Sequence, residues 1–131
     1  MEIREFAEKY IEAEKKAFKE GNFDALEAIA APNIVYHWGG PRDMVGHEDH
    51  KQDIMNYRKL TSKHTQEWGY VTGDGDVCVL SIREMMTFID EYPAISAPAG
   101  ATIDFDAFFI LRRENEKVVE AWIKGNSRIL K

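Results

Sequence analysis

Between residues 2 and 20 the chain contains neither Gly nor Pro, and Phe6, Tyr10, Ala13 and Ala17 recur three or four positions apart with Glu and Lys between them. That spacing puts the apolar groups on one stripe and predicts an amphipathic helix. Gly21 stops it, Asn22 caps a second short helix over Phe23–Ala30, and Pro32 closes that helix from behind. Ile34–Trp38 is rich in β-branched and aromatic residues and reads as a short strand ended by Gly39, Gly40 and Pro41. A third helix starts near Gly46 with Glu48 and Asp49 in its first turn and runs through Ile54, Met55 and Tyr57 to about Leu60.

Beyond Ser62 the pattern changes to long strands. Lys63–Thr72 and Val77–Asp90 pair as a hairpin across Gly73, Asp74, Gly75 and Asp76. Residues 91–100 carry Pro93, Pro98 and Gly100 and form a loop, after which Thr102–Arg113 and Lys117–Arg128 make a second hairpin across Glu114, Asn115 and Glu116. Helices gather in the first half and strands in the second, which favours an α+β fold over α/β. Long antiparallel strands twist and curl, and the helices need an apolar face to cover. The expectation is one domain spanning residues 1–131, a curved antiparallel sheet forming a half-cone with three helices of the N-terminal half over its mouth.

Composition narrows the partners. At 131 residues one core is expected, and a net charge of −6 supplies no basic surface to neutralise phosphates, so nucleic acid and anionic membrane are excluded as expected partners. The amino terminus lacks the apolar run of a secretory signal and no stretch approaches a membrane span, giving a cytoplasmic expectation. Cys78 is the only cysteine and sits in an apolar run, so it reads as a core residue. His47 and His50 lie three apart beside Asp43 and Asp53, but without further ligands they read as helix-start polarity rather than a metal site. Asp104 and Asp106 alternate on one strand face, read as a solvated one.

The chain resembles the nuclear-transport-factor-2-like superfamily, particularly its ketosteroid-isomerase-like and SnoaL-like polyketide-cyclase branches. The resemblance is carried by Lys19–Leu26, by Ala31–His37, by Gly46, His47 and Glu48, by Gly75, Asp76 and Val77, and by Arg112–Trp122. It implies the cystatin-like α+β roll with a pocket inside the cone, and no cofactor. It also places His37 where the isomerases carry an aspartate base, and Glu14 where they carry an oxyanion-binding tyrosine. Imidazole titrates near neutrality, and a carboxyl facing an apolar pocket would stay protonated, so the two are the candidate catalytic residues. The alternatives are a histidine bonded within the sheet or at its rim, and an exposed helix glutamate.

The resemblance also puts Phe109 and Ile123 where the relatives carry catalytic acids or a histidine, so neither known catalytic pair is intact. If both face inward, strand alternation brings Phe105, Ala107 and Ala121 with them and turns Trp122, Phe108 and Ile110 outward, unless a bulge reverses the parity. Tyr10, Tyr57, His64 and Trp68 complete the candidate wall with Phe105, Phe109 and Ile123. Two functions remain. One is proton-transfer chemistry on a small apolar molecule bearing a carbonyl or hydroxyl, of isomerase, cyclase or dehydratase type; the other is a binding or dimerisation module without turnover. The outward apolar groups point to a homodimer through the outer sheet face.

Overall fold

The computed structural model describes residues 1–130. Helix α1 (Ile3–Glu20) forms where the apolar stripe predicts it, burying Phe6, Ala7, Tyr10, Ile11, Ala13, Glu14 and Ala17. Gly21 adopts the left-handed conformation at φ 67° and its N–H returns to the Ala17 carbonyl, which ends the helix. Helix α2 (Asp24–Ile29) follows, with Asn22 Oδ1 accepting the Asp24 N–H.

Strand β1 (Ala30–His37) begins four residues earlier than the sequence pattern predicts. Its first half holds Pro32, which has no N–H to give a ladder, and the pairing register shifts there between Ala30 and Val35. Met44–Val45 adds a two-residue strand, β2, before helix α3 (Gly46–Leu60). The long strands are β3 (Thr61–Asp74), β4 (Val77–Phe88), β5 (Thr102–Glu114) and β6 (Lys117–Leu130). A single turn of 3₁₀ helix, Pro93–Ile95, lies in the loop between β4 and β5.

The fold is α+β as expected, with three helices and one six-stranded sheet ordered β2-β1-β6-β5-β4-β3. One pairing departs from the all-antiparallel expectation: β1 runs parallel to β6, while the other neighbours are antiparallel. The two are separated by α3 and the β3–β5 meander, a connection long enough to return the chain in the same direction. With β2 and β3 as free edges the sheet stays open, and the helices pack on one face.

Strand alternation assigns that face. On β4, Cys78, Leu80, Ile82, Glu84, Met86 and Phe88 are all buried, and on β5 so are Ile103, Ala107, Phe109 and Leu111. Strand β6 carries a bulge, since Arg112 pairs with Glu120 while Arg113 pairs with Val118, leaving Val119 extra. The bulge falls before Ala121, so Phe109 and Ile123 stay opposite each other on the inner face while Phe108, Ile110 and Trp122 face outward. Gly125 sits opposite Ala107 where the strands press closest. A Cβ there would lie 2.2 Å from the Asp106 carbonyl oxygen, so only glycine fits.

The expected solvated face for Asp104 is overturned. Its side chain points outward yet is 1% exposed, because the guanidiniums of Arg83 and Arg128 close over it from β4 and β6. Asp106 is exposed.

Candidate functional site

Helices α1 and α3 cross the inner sheet face without filling it, and leave a cavity of about 270 Å³. Its walls are mostly apolar: Trp68, Ile82, Met86, Ile103, Phe105, Phe109 and Ile123 from the sheet, with Phe18 and Tyr57 from the helices. Two loops form its rim. Trp38, Gly39 and Gly40 stand on one side and Ala94 and Ile95 on the other. The Trp38 indole donates to the Arg42 carbonyl at 2.8 Å and lies so close over Gly40 that a Cβ there would fall 1.9 Å from the ring.

Three carboxyls and one imidazole open on this apolar chamber: Glu14, Asp53, Glu84 and His50. Glu14 is 1% exposed, and its Oε1 accepts the Tyr10 hydroxyl at 2.9 Å and contacts His50 Nε2 at 3.1 Å. The Tyr36 hydroxyl meets the Tyr10 hydroxyl at 2.9 Å, extending the chain of bonds to β1. Burial pushes the Glu14 carboxyl up to about 8, the charges of Glu84 and Asp53 adding to the effect and the Tyr10 bond opposing it. Burial also pushes His50 down to about 3, with nearby His47 adding to it. Glu14 and His50 therefore meet at 3.1 Å as a neutral acid and a neutral imidazole at pH 7 rather than as an ion pair, since burial disfavours the charged form of each.

Asp53 lies one turn beyond His50 on α3. Its Oδ1 accepts the Tyr92 hydroxyl at 3.0 Å, which ties the 91–101 loop to the site. Burial raises Asp53 to about 6, the Tyr92 bond opposing and Glu84 adding, so it is ionised at neutral pH. Glu84, on β4, takes both its bonds on Oε1, from Gln66 at 2.7 Å and His64 at 3.1 Å.

The sequence-predicted residues divide. Glu14, Tyr57, Trp68, Phe105, Phe109 and Ile123 all line the cavity. Tyr10 does not: it is fully buried behind Glu14 and braces the carboxyl instead of touching the chamber. His64 does not reach it either, standing behind Glu84 beside the rings of Phe18 and Tyr57 and lining a separate outer groove.

The largest correction is His37, expected to point into the pocket. Ile34 and Tyr36 take the inward positions of β1, which turns His37 to the outer face. There its ring stacks on Trp122 at 5.5 Å, Nδ1 meets Asp43 at 2.9 Å and Nε2 meets Glu120 at 2.6 Å. The bond to Glu120 is the main cause that raises its pKa. It is the rim histidine that the sequence left as the alternative.

Sequence reasoning gave no catalytic part to His50, Asp53 or Glu84. The signal for the first two is their spacing with Ile54 and Tyr57, since positions 50, 53, 54 and 57 form one helix stripe. The signal for Glu84 is a lone charge in the inward phase of β4, between Ile82 and Met86. Among the described residues no three His, Cys, Asp or Glu side chains are placed to hold one metal ion, and no helix is long and apolar enough to cross a membrane.

The sequence profile of the SnoaL-like domain matches residues 7–121. No curated protein matches the chain by sequence. Among solved structures, TsrD from Streptomyces laurentii is similar at TM-score 0.77 and 18% identity, covering 94% of this chain and 90% of that one. IdmH from Streptomyces antibioticus, a proposed polyketide cyclase, is similar at TM-score 0.72 and 18% identity, covering 92% and 91%. AclR from Streptomyces galilaeus, a proposed hydroxylase, is similar at TM-score 0.74 and 20% identity, covering 97% and 82%. At these identities the likeness is one of fold.

Proposed function

The chain belongs to the SnoaL-like family of the nuclear-transport-factor-2-like superfamily, and from that premise we propose that it catalyses proton transfer on a small, largely apolar molecule bearing a carbonyl or hydroxyl. Isomerisation, aldol-type cyclisation and dehydration are the reactions of this type. The observation that carries the proposal is the pair of carboxyls, Glu14 and Asp53, lining one apolar cavity, where burial pushes Glu14 up to about 8 and Asp53 up to about 6. Carboxyls pushed apart in this way divide into an acid and a base.

Tyr10 donates to Glu14 Oε1 and His50 Nε2 lies 3.1 Å from the same oxygen, so in the proposed reaction Oε2 carries the acid proton. In the proposed reaction Glu14 protonates the substrate oxygen, while ionised Asp53, held by Tyr92, removes a proton from carbon or hydroxyl. His50 and Tyr10 are positioning residues, and Phe105, Phe109, Trp68, Tyr57 and Ile123 hold the hydrocarbon. His37 has no part in this chemistry.

The test is incubation with enones, β-diketones and hydroxyketones in D₂O, with thermal stability followed in parallel. Compounds that bind the native state raise the melting temperature. The expected result is that at least one such binder also takes up deuterium beside its carbonyl or is converted. Binders that stabilise the protein yet remain unexchanged and unchanged would replace the enzyme with a binding module.

The outer sheet face supports a homodimer in the same proposal. Phe108 is 52% exposed there, in a groove that also holds Glu67 and Asp106 with Arg83 and Lys124, charges of both signs that a two-fold partner can pair. Phe108→Asp is expected to shift the protein from dimer to monomer in sedimentation equilibrium at tens of micromolar, with its circular dichroism unchanged. A wild-type monomer at that concentration would remove the dimer.

A further inference from the structure

The proposed proton transfer uses two of the three carboxyls on the cavity and leaves Glu84 without a task. Glu84 is 9% exposed, and its two hydrogen bonds both fall on Oε1, from Gln66 and His64, neither of which lines the cavity. Oε2 has no partner among the described residues, and it is not sealed inside the protein. Glu84 itself lines the chamber. Glu14 and Asp53 follow the same rule, each binding its neighbours through one oxygen and leaving the other free.

The imidazole that contacts Glu84, His64 at 3.1 Å, stands behind it and outside the chamber. Among the described residues neither lysine nor arginine lines the cavity, and burial keeps its one imidazole, His50, neutral. A nearly buried carboxylate with an unused oxygen is a costly arrangement when the cavity holds only hydrocarbon. The three carboxyls are too dispersed to converge on a metal ion. The surroundings of Glu84 are aromatic, with Phe105 directly across the β4–β5 ladder and Trp68 linked through Gln66. Aromatic faces attract organic cations through the ring quadrupole, which adds to the charge of an adjacent carboxylate.

We infer that the molecule taken by this cavity carries a protonated amine, and that Glu84 Oε2 receives the ammonium while the apolar walls hold its hydrocarbon. The inference rests on the proton-transfer reading, in which Glu14 and Asp53 are occupied by the reaction, and it narrows the substrate to an amine-bearing one. It also assigns the β3 cluster of His64, Gln66 and Trp68 a purpose: these side chains fix the Glu84 carboxylate so that one oxygen always faces the chamber.

The test compares isosteric probes by calorimetry at pH 7: 2-phenylethylamine with 2-phenylethanol, and 1-aminoadamantane with 1-adamantanol. A hydrogen bond to a charged group contributes about 1.5–3 kcal/mol, so each amine is expected to bind at least about tenfold more tightly than its alcohol. In Glu84→Gln, checked for folding by circular dichroism, that preference should shrink to within about threefold by loss of amine affinity. The inference is overturned if the alcohols bind as well as the amines, if no probe binds at millimolar concentration, or if the amine preference survives in Glu84→Gln. The wild-type comparison decides the matter even if the variant fails to fold. Equal binding of alcohol and amine would leave the Glu14 and Asp53 chemistry standing, whereas full turnover without Glu14 would remove that chemistry and leave the amine preference intact.

Discussion

Glu14→Gln is expected to lower turnover of the substrate by about 10²–10⁴-fold, the range that a positioned general acid or base contributes. The replacement keeps the shape of the protonated carboxyl, and its carbonyl oxygen still accepts from Tyr10. What it loses, on the proposed mechanism, is the acid proton. Asp53→Asn should cause a loss of the same order, through the base, while keeping the Tyr92 bond. His37→Ala should leave turnover within about twofold, because its ring lies outside the cavity against Trp122. The pH profile of kcat/KM carries the same information. It should rise as Asp53 ionises near pH 6 and fall as Glu14 ionises near pH 8. Turnover within threefold of wild type in Glu14→Gln would remove the acid from the mechanism.

The reversal at position 37 shows which part of the site was legible and which was not. The apolar stripe of α1 places Glu14 one turn beyond Tyr10, and a helix keeps that relation whatever packs on it, so the shared face could be read from spacing while the place at the site came from the resemblance. Strand β1 offers no such constant. Ile34, Val35, Tyr36 and Trp38 are all apolar or aromatic, so the alternation is ambiguous, and its parity is set by pairing with β6 across a register shift that includes Pro32. A one-residue slip in a strand exchanges its two faces, and the slip exchanges Tyr36 for His37. On β5 the sequence tied Phe105 and Ala107 to the facing of Phe109 by alternation, and the structure keeps that phase because the bulge falls elsewhere, on β6 before Ala121.

The places of His50 and Asp53 on the cavity were hidden by a different cause. Both were visible as polar residues near a helix start, where polar groups are ordinary, and only the rotation of α3 onto the sheet separates the inward ones from Asp49 and Gln52. Their pKa values are properties of burial, which depends on the strands laid down after them. The fold was readable because it rests on many redundant apolar positions, whereas the site depends on the facing of single residues.

A neutral Glu14–His50 pair has a consequence for stability that requires no substrate. In the native state Glu14 holds its proton up to about pH 8, while in the unfolded chain it releases it near 4.5. Wherever the native state binds the extra proton, stability falls as pH rises, by about 1.4 kcal/mol per unit. His50 acts in the opposite sense, but only between about 3 and 6.5, where the unfolded chain is protonated and the native state is not. Asp53 adds a falling contribution that ends near pH 6. Above pH 6.5 the Glu14 effect stands alone among the buried groups, and urea unfolding should show a loss of about 2 kcal/mol between pH 6.5 and 8.

His37, with its raised pKa, adds a loss of the same sign in that window, made small by its exposure, and His37→Ala removes that part. Glu14→Gln should match wild type at pH 6.5 to within about 1 kcal/mol, since amide replaces neutral acid, and should exceed it at pH 8. The alternative charge state predicts otherwise. Were Glu14 and His50 a buried ion pair, removing the carboxylate would cost about 3–5 kcal/mol already at pH 6.5. A wild-type profile flat from pH 6.5 to 8, or an equal decline in Glu14→Gln, would mean that Glu14 is ionised in the folded protein and has no acid proton to give.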